Sequence, residues 1–204
     1  MKNHDRTVFI IDDDEAVRDS LKLLMKSVGL EVKCYSRAAE FLKTYKTGQA
    51  GCLILDIRMP GMSGLELQQE LLNLHATLPI IFITGHGDVP MAVQAIRDGA
   101  IDFIQKPFRD QDLIDRIHAA LELDAQTRTK LHKLNSIGRN MDTLTKRERQ
   151  ILDMIVAGKP NKVIAAKLFL SQRTVEVHRA RAMEKMEADS TADLVRMVTL
   201  LRSQ

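Results

Sequence analysis

The stretch Thr7-Val8-Phe9-Ile10-Ile11-Asp12-Asp13-Asp14 places a short apolar run directly before three carboxylates. The run is continuous rather than alternating, which is typical of a strand buried on both faces of a parallel sheet. Similar runs predict five strands, at residues 7–11, 31–34, 52–55, 79–83 and 102–104. Helix-length amphipathic segments separate them, at residues 15–28, 37–45, 64–74 and 89–98, with a last one beginning near Asp110. This alternation predicts an α/β fold with a doubly wound, five-stranded parallel sheet.

The remainder of the chain is helical in pattern and predicts a separate all-α, four-helix domain. Thr145 and Glu148 have the spacing of a capping box at the start of one helix. Gly138-Arg139-Asn140 predicts the end of the preceding helix, and Asn161 and Ser171 are candidate N-caps. The remaining helices are predicted at residues 162–168, 172–186 and 191–201. We therefore expect a first domain at residues 1–121, a partly helical linker at 122–140 and a helical domain at 141–204.

Charge divides the 204 residues in the same way. Residues 1–124 carry 14 Lys and Arg against 19 Asp and Glu, a net charge of −5, whereas residues 125–204 carry 16 against 8, a net charge of +8. A basic C-terminal part favours a polyanionic partner. No apolar run is long enough to span a bilayer, and the two cysteines lack a CxxC spacing, so we expect a cytoplasmic protein without a disulfide framework.

Four of the predicted strands are followed by polar side chains. Asp12-Asp13-Asp14, Asp56, Thr84 and Lys106 stand at the ends of the first, third, fourth and fifth strands. Because parallel strands end at the same edge of a sheet, these groups are expected to converge. Clustered carboxylates repel one another unless a cation neutralises them, and hard oxygen ligands suit Mg²⁺. Carboxylate, hydroxyl, ammonium and metal together are the groups that phosphoryl transfer requires.

These residues lie in motifs that resemble the receiver domain of two-component response regulators, which has a flavodoxin-like fold. The motifs are Phe9–Asp13 (FIIDD), Leu55–Gly64 (LDIRMPGMSG), Ile83–Gly85 (ITG) and Lys106–Phe108 (KPF). They follow the order and spacing of that family over about residues 5–122.

The resemblance implies a role for each pocket residue. Asp56 would accept a phosphoryl group from a sensor histidine kinase, with Thr84 and Lys106 assisting, and Lys106–Pro107 would be a cis peptide bond. Thr84 and Phe103 would form the switch pair, although the family often has Tyr at the second position. The Mg²⁺ ligands would be Asp12, Asp13, Asp56 and the backbone carbonyl of Arg58.

The helices at 162–168 and 172–186 have helix-turn-helix proportions. On the longer helix Val175, Ala182, Met183 and Met186 share one side, a candidate core stripe. The opposite side is small, partly apolar and edged with basic residues, as a helix that reads the DNA major groove requires. The candidate DNA-contacting residues are Asn161, Lys162, Arg173, Thr174, Glu176, Val177, His178, Ala180, Arg181 and Lys185. Arg181 and Lys185 lie further along the helix, where phosphates are the expected targets.

The C-terminal part is similar to the LuxR-type DNA-binding domain. The similar stretches are 144–152 (LTKRERQIL), 161–165 (NKVIA) and 171–179 (SQRTVEVHR). A receiver followed by this domain resembles the NarL/FixJ group, and residues 84–93 (TGHGDVPMAV) resemble FixJ-type members in particular. In that family Glu176, Val177 and Ala180 correspond to base-contacting positions.

We therefore interpret the chain as a transcriptional regulator rather than an enzyme. On phosphorylation the protein would form a homodimer through the face made by residues 89–98, 102–104 and 110–121. This homodimer would bind promoter DNA. A Mg²⁺-dependent phosphatase of the haloacid-dehalogenase type is the alternative, because Asp12-Asp13-Asp14 also reads DxD. Such an enzyme would leave Asp56 and the basic part unexplained. An RNA-binding output is a third possibility, but it would use aromatic stacking that the C-terminal part lacks apart from Phe169.

Overall fold

The computed structural model describes residues 7–85 and 89–203. Residues 86–88, part of the stretch that resembles FixJ-type members, lie outside the described residues. The chain divides into two compact units, Met1–Arg128 and Thr129–Gln204. No described helix is both long and apolar enough to cross a membrane.

The first unit contains a five-stranded parallel sheet, which confirms the predicted fold class. Its strands are β1 (Thr7–Ile11), β2 (Glu31–Tyr35), β3 (Cys52–Asp56), β4 (Ile80–Thr84) and β5 (Asp102–Gln105). They lie in the order β2-β1-β3-β4-β5, and every neighbouring pair is parallel. The helices between them are α1 (Glu15–Ser27), α2 (Ala38–Thr44), α3 (Gly64–Asn73) and α4 (Val89–Arg97).

Two hydrophobic cores cover the two faces of this sheet. Phe9 and Ile11 of β1 pack on one face, and Val8 and Ile10 pack on the other. All five residues of β1, β3 and β4 are buried. The continuous apolar runs of the sequence are thus explained by burial on both faces.

The strands differ slightly in their limits from the sequence prediction. β3 extends to Asp56 and β4 to Thr84 because Asp56 pairs with Ile83, and Thr84 with Gln105, in the strand ladders. Two of the pocket side chains therefore stand on the last residue of a strand rather than in the following loop. Their backbone is fixed by the sheet.

The predicted helix end at Gly138 is wrong, because helix α5 (Asp110–Asp142) runs past this glycine. It is continuous through Gly138, because Ile137 and Met141 on either side are buried in the core of the second unit. A Cβ at Gly138 would lie 4.0 Å from Leu201 Cδ1. Burial of the neighbours outweighs the roughly 1 kcal/mol by which glycine disfavours a helix.

The second unit is helical, with α6 (Lys146–Val156), α7 (Asn161–Leu168), α8 (Gln172–Lys185) and α9 (Thr191–Arg202). The capping box of Thr145 and Glu148 is present, and Ser171 caps α8 through its bond from the Thr174 N–H. The predicted Asn161 cap is wrong. Helix α7 begins at Asn161 with Pro160 as its N-cap residue, and Asn161 Oδ1 instead accepts from Arg179 Nη1 at 3.3 Å.

Candidate functional site

The carboxyl edge of the sheet brings Asp12, Asp56 and Lys106 together. Lys106 Nζ donates to Asp12 Oδ2 at 2.7 Å and lies 3.3 Å from Asp56 Oδ1. Both carboxylates are buried, and the lysine is largely so. Asp12 and Asp56 thus share the ammonium group of Lys106, although they lie 94 and 50 positions before it in the chain.

The environment of Asp56 works against its ionisation. Burial raises the pKa of its carboxyl group above the ordinary value, and Asp12 raises this pKa further, while Lys106 and the Arg58 N–H oppose the shift. The Arg58 N–H donates to Asp56 Oδ2 at 2.9 Å. A second cation in this pocket would stabilise the ionised, nucleophilic form.

Lys106 remains a cation in this pocket. Burial lowers the pKa of its ammonium, but the hydrogen bonds and charges of Asp12 and Asp56 outweigh that effect and raise it overall. Its backbone N–H donates to the carbonyl of Thr84 at 2.7 Å, and the Lys106–Pro107 bond is cis, as the resemblance implied. Lys106 can therefore hold an anion at the strand edge.

The loop after Asp56 is held closely against the backbone of Asp56. Ser63 caps α3 with a capping box, and the Gly64 N–H donates to the carbonyl of Ile57 at 2.9 Å. A Cβ at Gly64 would stand 2.3 Å from the backbone oxygen of Asp56, so only glycine fits at that position. The turn holds the start of α3 directly beside the Asp56 backbone.

The predicted metal ligands are only partly assembled. Within residues 7–85 and 89–203, no three His, Cys, Asp or Glu side chains are arranged to hold a metal ion. Asp12 and Asp56 are buried and share the Lys106 ammonium, whereas Asp13 and Arg58 are exposed. The donor set of carboxylate and carbonyl oxygens nevertheless has the chemistry that Mg²⁺ prefers.

Three further residues bear on this pocket. Thr84 is buried at the end of β4, and Phe103 on β5 is half-buried against the core. Arg18 of α1 donates from Nη1 to the carbonyl of Asp12 at 2.7 Å. Sequence reasoning missed Arg18, because an arginine six residues after Asp12 carries no recognisable motif.

The second unit exposes most of the predicted DNA-contacting side chains. Val175, Ala182 and Met186 of α8 are buried in its core, and Met183 packs against them, as predicted. Val177 on the other side is 45% exposed. The other exposed candidates are Lys162, Arg173, Glu176, Ala180 and Arg181, while Asn161, Thr174 and His178 are half-buried.

Lys185 differs from its sequence interpretation. Its Nζ donates to Glu148 Oε2 at 2.7 Å and to the carbonyl of Thr143 at 3.2 Å. Glu148 is buried, and the hydrogen bonds from Lys185 and from the Thr145 backbone lower the pKa of its carboxyl group to about 2. The ammonium is thus engaged by the unit's own carboxylate, which ties the end of α8 to the start of α6.

Comparison with known proteins identifies both units. Residues 8–118 match the family of response regulator receiver domains. Residues 142–198 match the luxR family of bacterial regulatory proteins. The chain is 46% identical over 202 residues to the response regulator protein TodT of Pseudomonas putida, covering 99% of this chain and 89% of TodT. It is 48% identical over 193 residues to the transcriptional regulatory protein FixJ of Rhizobium meliloti, covering 95% of each.

Solved structures agree with these matches. The response regulator StyR superposes with a TM-score of 0.88 at 44% identity, covering 96% of this chain and 98% of StyR. Full-length FixJ from B. japonicum gives a TM-score of 0.59 at 38% identity, covering 98% of each chain. The fold and these likenesses define a two-domain bacterial regulator. The chain belongs to the NarL/FixJ group of two-component response regulators, which carry a LuxR-type DNA-binding domain.

Proposed function

We propose that Asp56 accepts a phosphoryl group from a sensor histidine kinase and that this modification controls DNA binding by the second unit. The observation that carries the proposal is the Lys106 ammonium, 2.7 Å from Asp12 Oδ2 and 3.3 Å from Asp56 Oδ1 at the carboxyl edge of a parallel sheet. This edge is where such sheets place their reactive groups.

The transfer follows from the chemistry of these groups. An oxygen of Asp56 attacks the phosphorus of a phosphohistidine, a P–O bond forms, and the P–N bond breaks. The imidazole nitrogen leaves with the electron pair of that bond and takes up a proton from water. Lys106 and Thr84 stand at the neighbouring strand ends, where an ammonium and a hydroxyl can hold the phosphoryl oxygens.

Asp12, Asp13, Asp56 and the carbonyl of Arg58 would hold Mg²⁺. When bound, the ion neutralises the carboxylates and the charge that develops on the transferred group. Asp13 is exposed at the end of β1, next to the buried Asp12, and is therefore free to turn toward an ion. This assignment gives a role to the first two of the three carboxylates after β1, and the third, Asp14, caps α1.

The acceptor assignment is tested by labelling. Full-length protein is incubated with Mg²⁺ and phosphoryl-labelled acetyl phosphate, and incorporation is compared with that of Asp56→Asn. We expect the variant to incorporate no stable label, because an amide cannot act as this nucleophile. Asp19→Asn, which changes an exposed carboxylate of α1, is the matched control and should label normally. Undiminished labelling of Asp56→Asn would refute the assignment.

The metal assignment is tested by thermal unfolding. An ion that binds only the folded state stabilises it by mass action. Millimolar Mg²⁺ should raise the melting temperature of the first unit, and Asp13→Ala should remove most of that shift. An unchanged Mg²⁺-dependent shift in the variant would exclude Asp13 as a ligand.

We further propose that phosphorylation produces a homodimer. Helix α4 exposes three large apolar side chains, Val89 at 72%, Val93 at 44% and Ile96 at 45%. Together with the 102–104 and 110–121 segments they form the proposed dimer face, which Thr84 and Phe103 would couple to Asp56. Two second units held in one dimer can bind paired half-sites of promoter DNA.

The remaining assignments are also proposals. The limits 1–121, 122–140 and 141–204 are supported by the family matches, which end at residue 118 and resume at residue 142. A cytoplasmic protein without an enzymatic activity of its own fits a family of transcriptional regulators. The haloacid-dehalogenase alternative is disfavoured because Asp14, the second carboxylate of its DxD pattern, caps α1 by accepting from the Ala16 N–H at 2.9 Å.

A further inference from the structure

Phe169 is an outlier in the second unit. It is the only aromatic residue after Phe108 in the sequence, and 96% of it is exposed. It ends helix α7 with φ 54° and ψ 48°, in the left-handed region. Glycine or asparagine ordinarily occupies such a position, and a bulky side chain there is strained. Neither burial nor backbone preference explains why phenylalanine stands at this turn.

The turn presents this ring on a fixed support. Leu168 and Leu170, on either side of Phe169, pack against the core of the second unit. The Leu170 N–H donates to the carbonyl of Ala165 at 2.9 Å, and Arg147 Nη2 donates to the carbonyl of Leu168 at 2.5 Å. Because the backbone at this turn is already ordered, binding through the ring does not require the turn itself to be ordered.

The surroundings of the ring favour a polyanion. From Lys159 to Val175 the chain contains four basic residues and no acidic one. Lys162, Lys167 and Arg173 of this segment are exposed. Lysine is depleted at the centre of protein interfaces, so a ring whose chain neighbours include exposed lysines fits such a centre poorly. It suits a nucleic acid, which offers phosphates to the cations and apolar sugar and base surface to the ring.

The position of the ring in the chain points to the same partner. Phe169 lies two residues before Ser171, the N-cap of α8. In helix-turn-helix proteins the second helix contacts bases with its N-terminal residues, so the turn before it lies at the entrance of the major groove.

From these observations we propose that Phe169 is a DNA-contacting residue whose ring packs on the apolar surface of a duplex at the edge of the major groove. The proposal rests on DNA binding by the second unit and adds an uncharged contact to it. The strain at Phe169 is then explained by a contact made only in the complex, as at other strained functional sites.

The test uses the full-length protein, with and without acetyl phosphate and Mg²⁺. A duplex is first selected from a random-sequence pool by the wild-type protein, and binding of Phe169→Asn to that duplex is then measured over a salt series. We expect a dissociation constant about tenfold higher, since the apolar surface of one ring stays in water. The slope of log affinity against log salt should not change, because no charge is lost.

Stability separates this role from a structural one. Asparagine tolerates the left-handed conformation, so Phe169→Asn should melt at the wild-type temperature or higher. Phe169→Gly provides a second variant with the same expectation, and Phe169→Tyr should retain binding. Leu23→Ala is the control, since it removes a 69% exposed side chain from α1 and should leave DNA affinity unchanged.

The outcomes are distinct. Wild-type affinity in both Phe169→Asn and Phe169→Gly would overturn the proposal while leaving DNA binding intact, and would point to a protein partner for the ring. If the variants that lose binding also melted at a lower temperature than wild type, the proposal would be overturned too, because the ring would then stabilise the fold rather than contact DNA. A wild-type protein that selects no duplex would refute DNA binding itself, and the role of Phe169 with it.

Discussion

Asp56, the proposed phosphoryl acceptor, destabilises the fold that carries it. Its carboxyl group is buried and lies near the equally buried Asp12, with one lysine shared between them. Burial, together with Asp12, raises the pKa of Asp56, which means that the ionised form at neutral pH costs folding free energy. The pocket is therefore stabilised by whatever brings further positive charge to it.

Asp56→Asn should consequently stabilise the protein in the absence of Mg²⁺. The amide oxygen can still accept from the Arg58 N–H, and Lys106 keeps its stronger bond to Asp12. We expect calorimetry at neutral pH to show a melting temperature of the first unit higher by about 2–4 °C. A clearly lower melting temperature would mean that the bond to Lys106 outweighs the cost of burying the charge.

At this scale the sequence predicts some roles and misses others. Asp12, Asp56 and Lys106 could be predicted, because each stands at a strand end and parallel strands end together. The pairing of Lys185 with Glu148 could not, since helical spacing places Lys185 beside the exposed face but says nothing about α6. The direction of a long flexible side chain depends on the packing of helices.

At the scale of elements, the bond between Lys185 and Glu148 links α8 to the capping box of α6. The hydrogen bonds from Lys185 and the Thr145 backbone hold the pKa of Glu148 at about 2, below its ordinary value of 4.5. A lowered pKa in the folded state means that the ionised form stabilises the fold above about pH 4.5. That stabilisation is lost as the pH falls from 4.5 towards 2.

Glu148→Gln should therefore destabilise the second unit in a pH-dependent way. We expect it to lower the free energy of unfolding by about 2 kcal/mol at pH 7, the contribution of hydrogen bonds to a charged group. Measured by denaturant unfolding, the difference from wild type should shrink between pH 4.5 and pH 3. A difference that stays constant over this range would show that the charge of Glu148 contributes nothing.

Lys185→Ala tests the same link from the other helix. Because the ammonium binds Glu148 and the carbonyl of Thr143, we expect lower stability of the second unit and an unchanged salt dependence of DNA binding. Lys185→Arg should restore much of the stability. A salt slope flatter by about one unit would instead identify Lys185 as a phosphate contact.

Elements were predictable where local pattern and packing agree. The strands of the sheet were located to within one or two residues by their apolar runs. The end of α5 was not, since Gly138 disfavours a helix locally while Ile137 and Met141 are buried by residues distant in the sequence. The Asn161 cap failed for a similar reason, because Arg179 takes the side-chain oxygen that would have capped α7.

At the scale of the whole molecule, the chain joins an acidic receiver of net charge −5 to a basic DNA-binding part of net charge +8, counted over residues 1–124 and 125–204. In the proposed function, phosphorylation changes the first and DNA binds the second. The proposed dimerisation would connect the two events without a new DNA contact, since a second binding unit held nearby can raise affinity by about a hundredfold or more.

The affinity of the full-length protein for its selected duplex, measured with and without acetyl phosphate and Mg²⁺, tests this connection most directly. We expect acetyl phosphate to convert the wild-type protein to a dimer and to tighten its binding, and to change neither property in Asp56→Asn. If Asp56→Asn responded as wild type does, or if phosphorylated wild-type protein bound DNA no more tightly than unphosphorylated protein, phosphorylation of Asp56 would not control DNA binding.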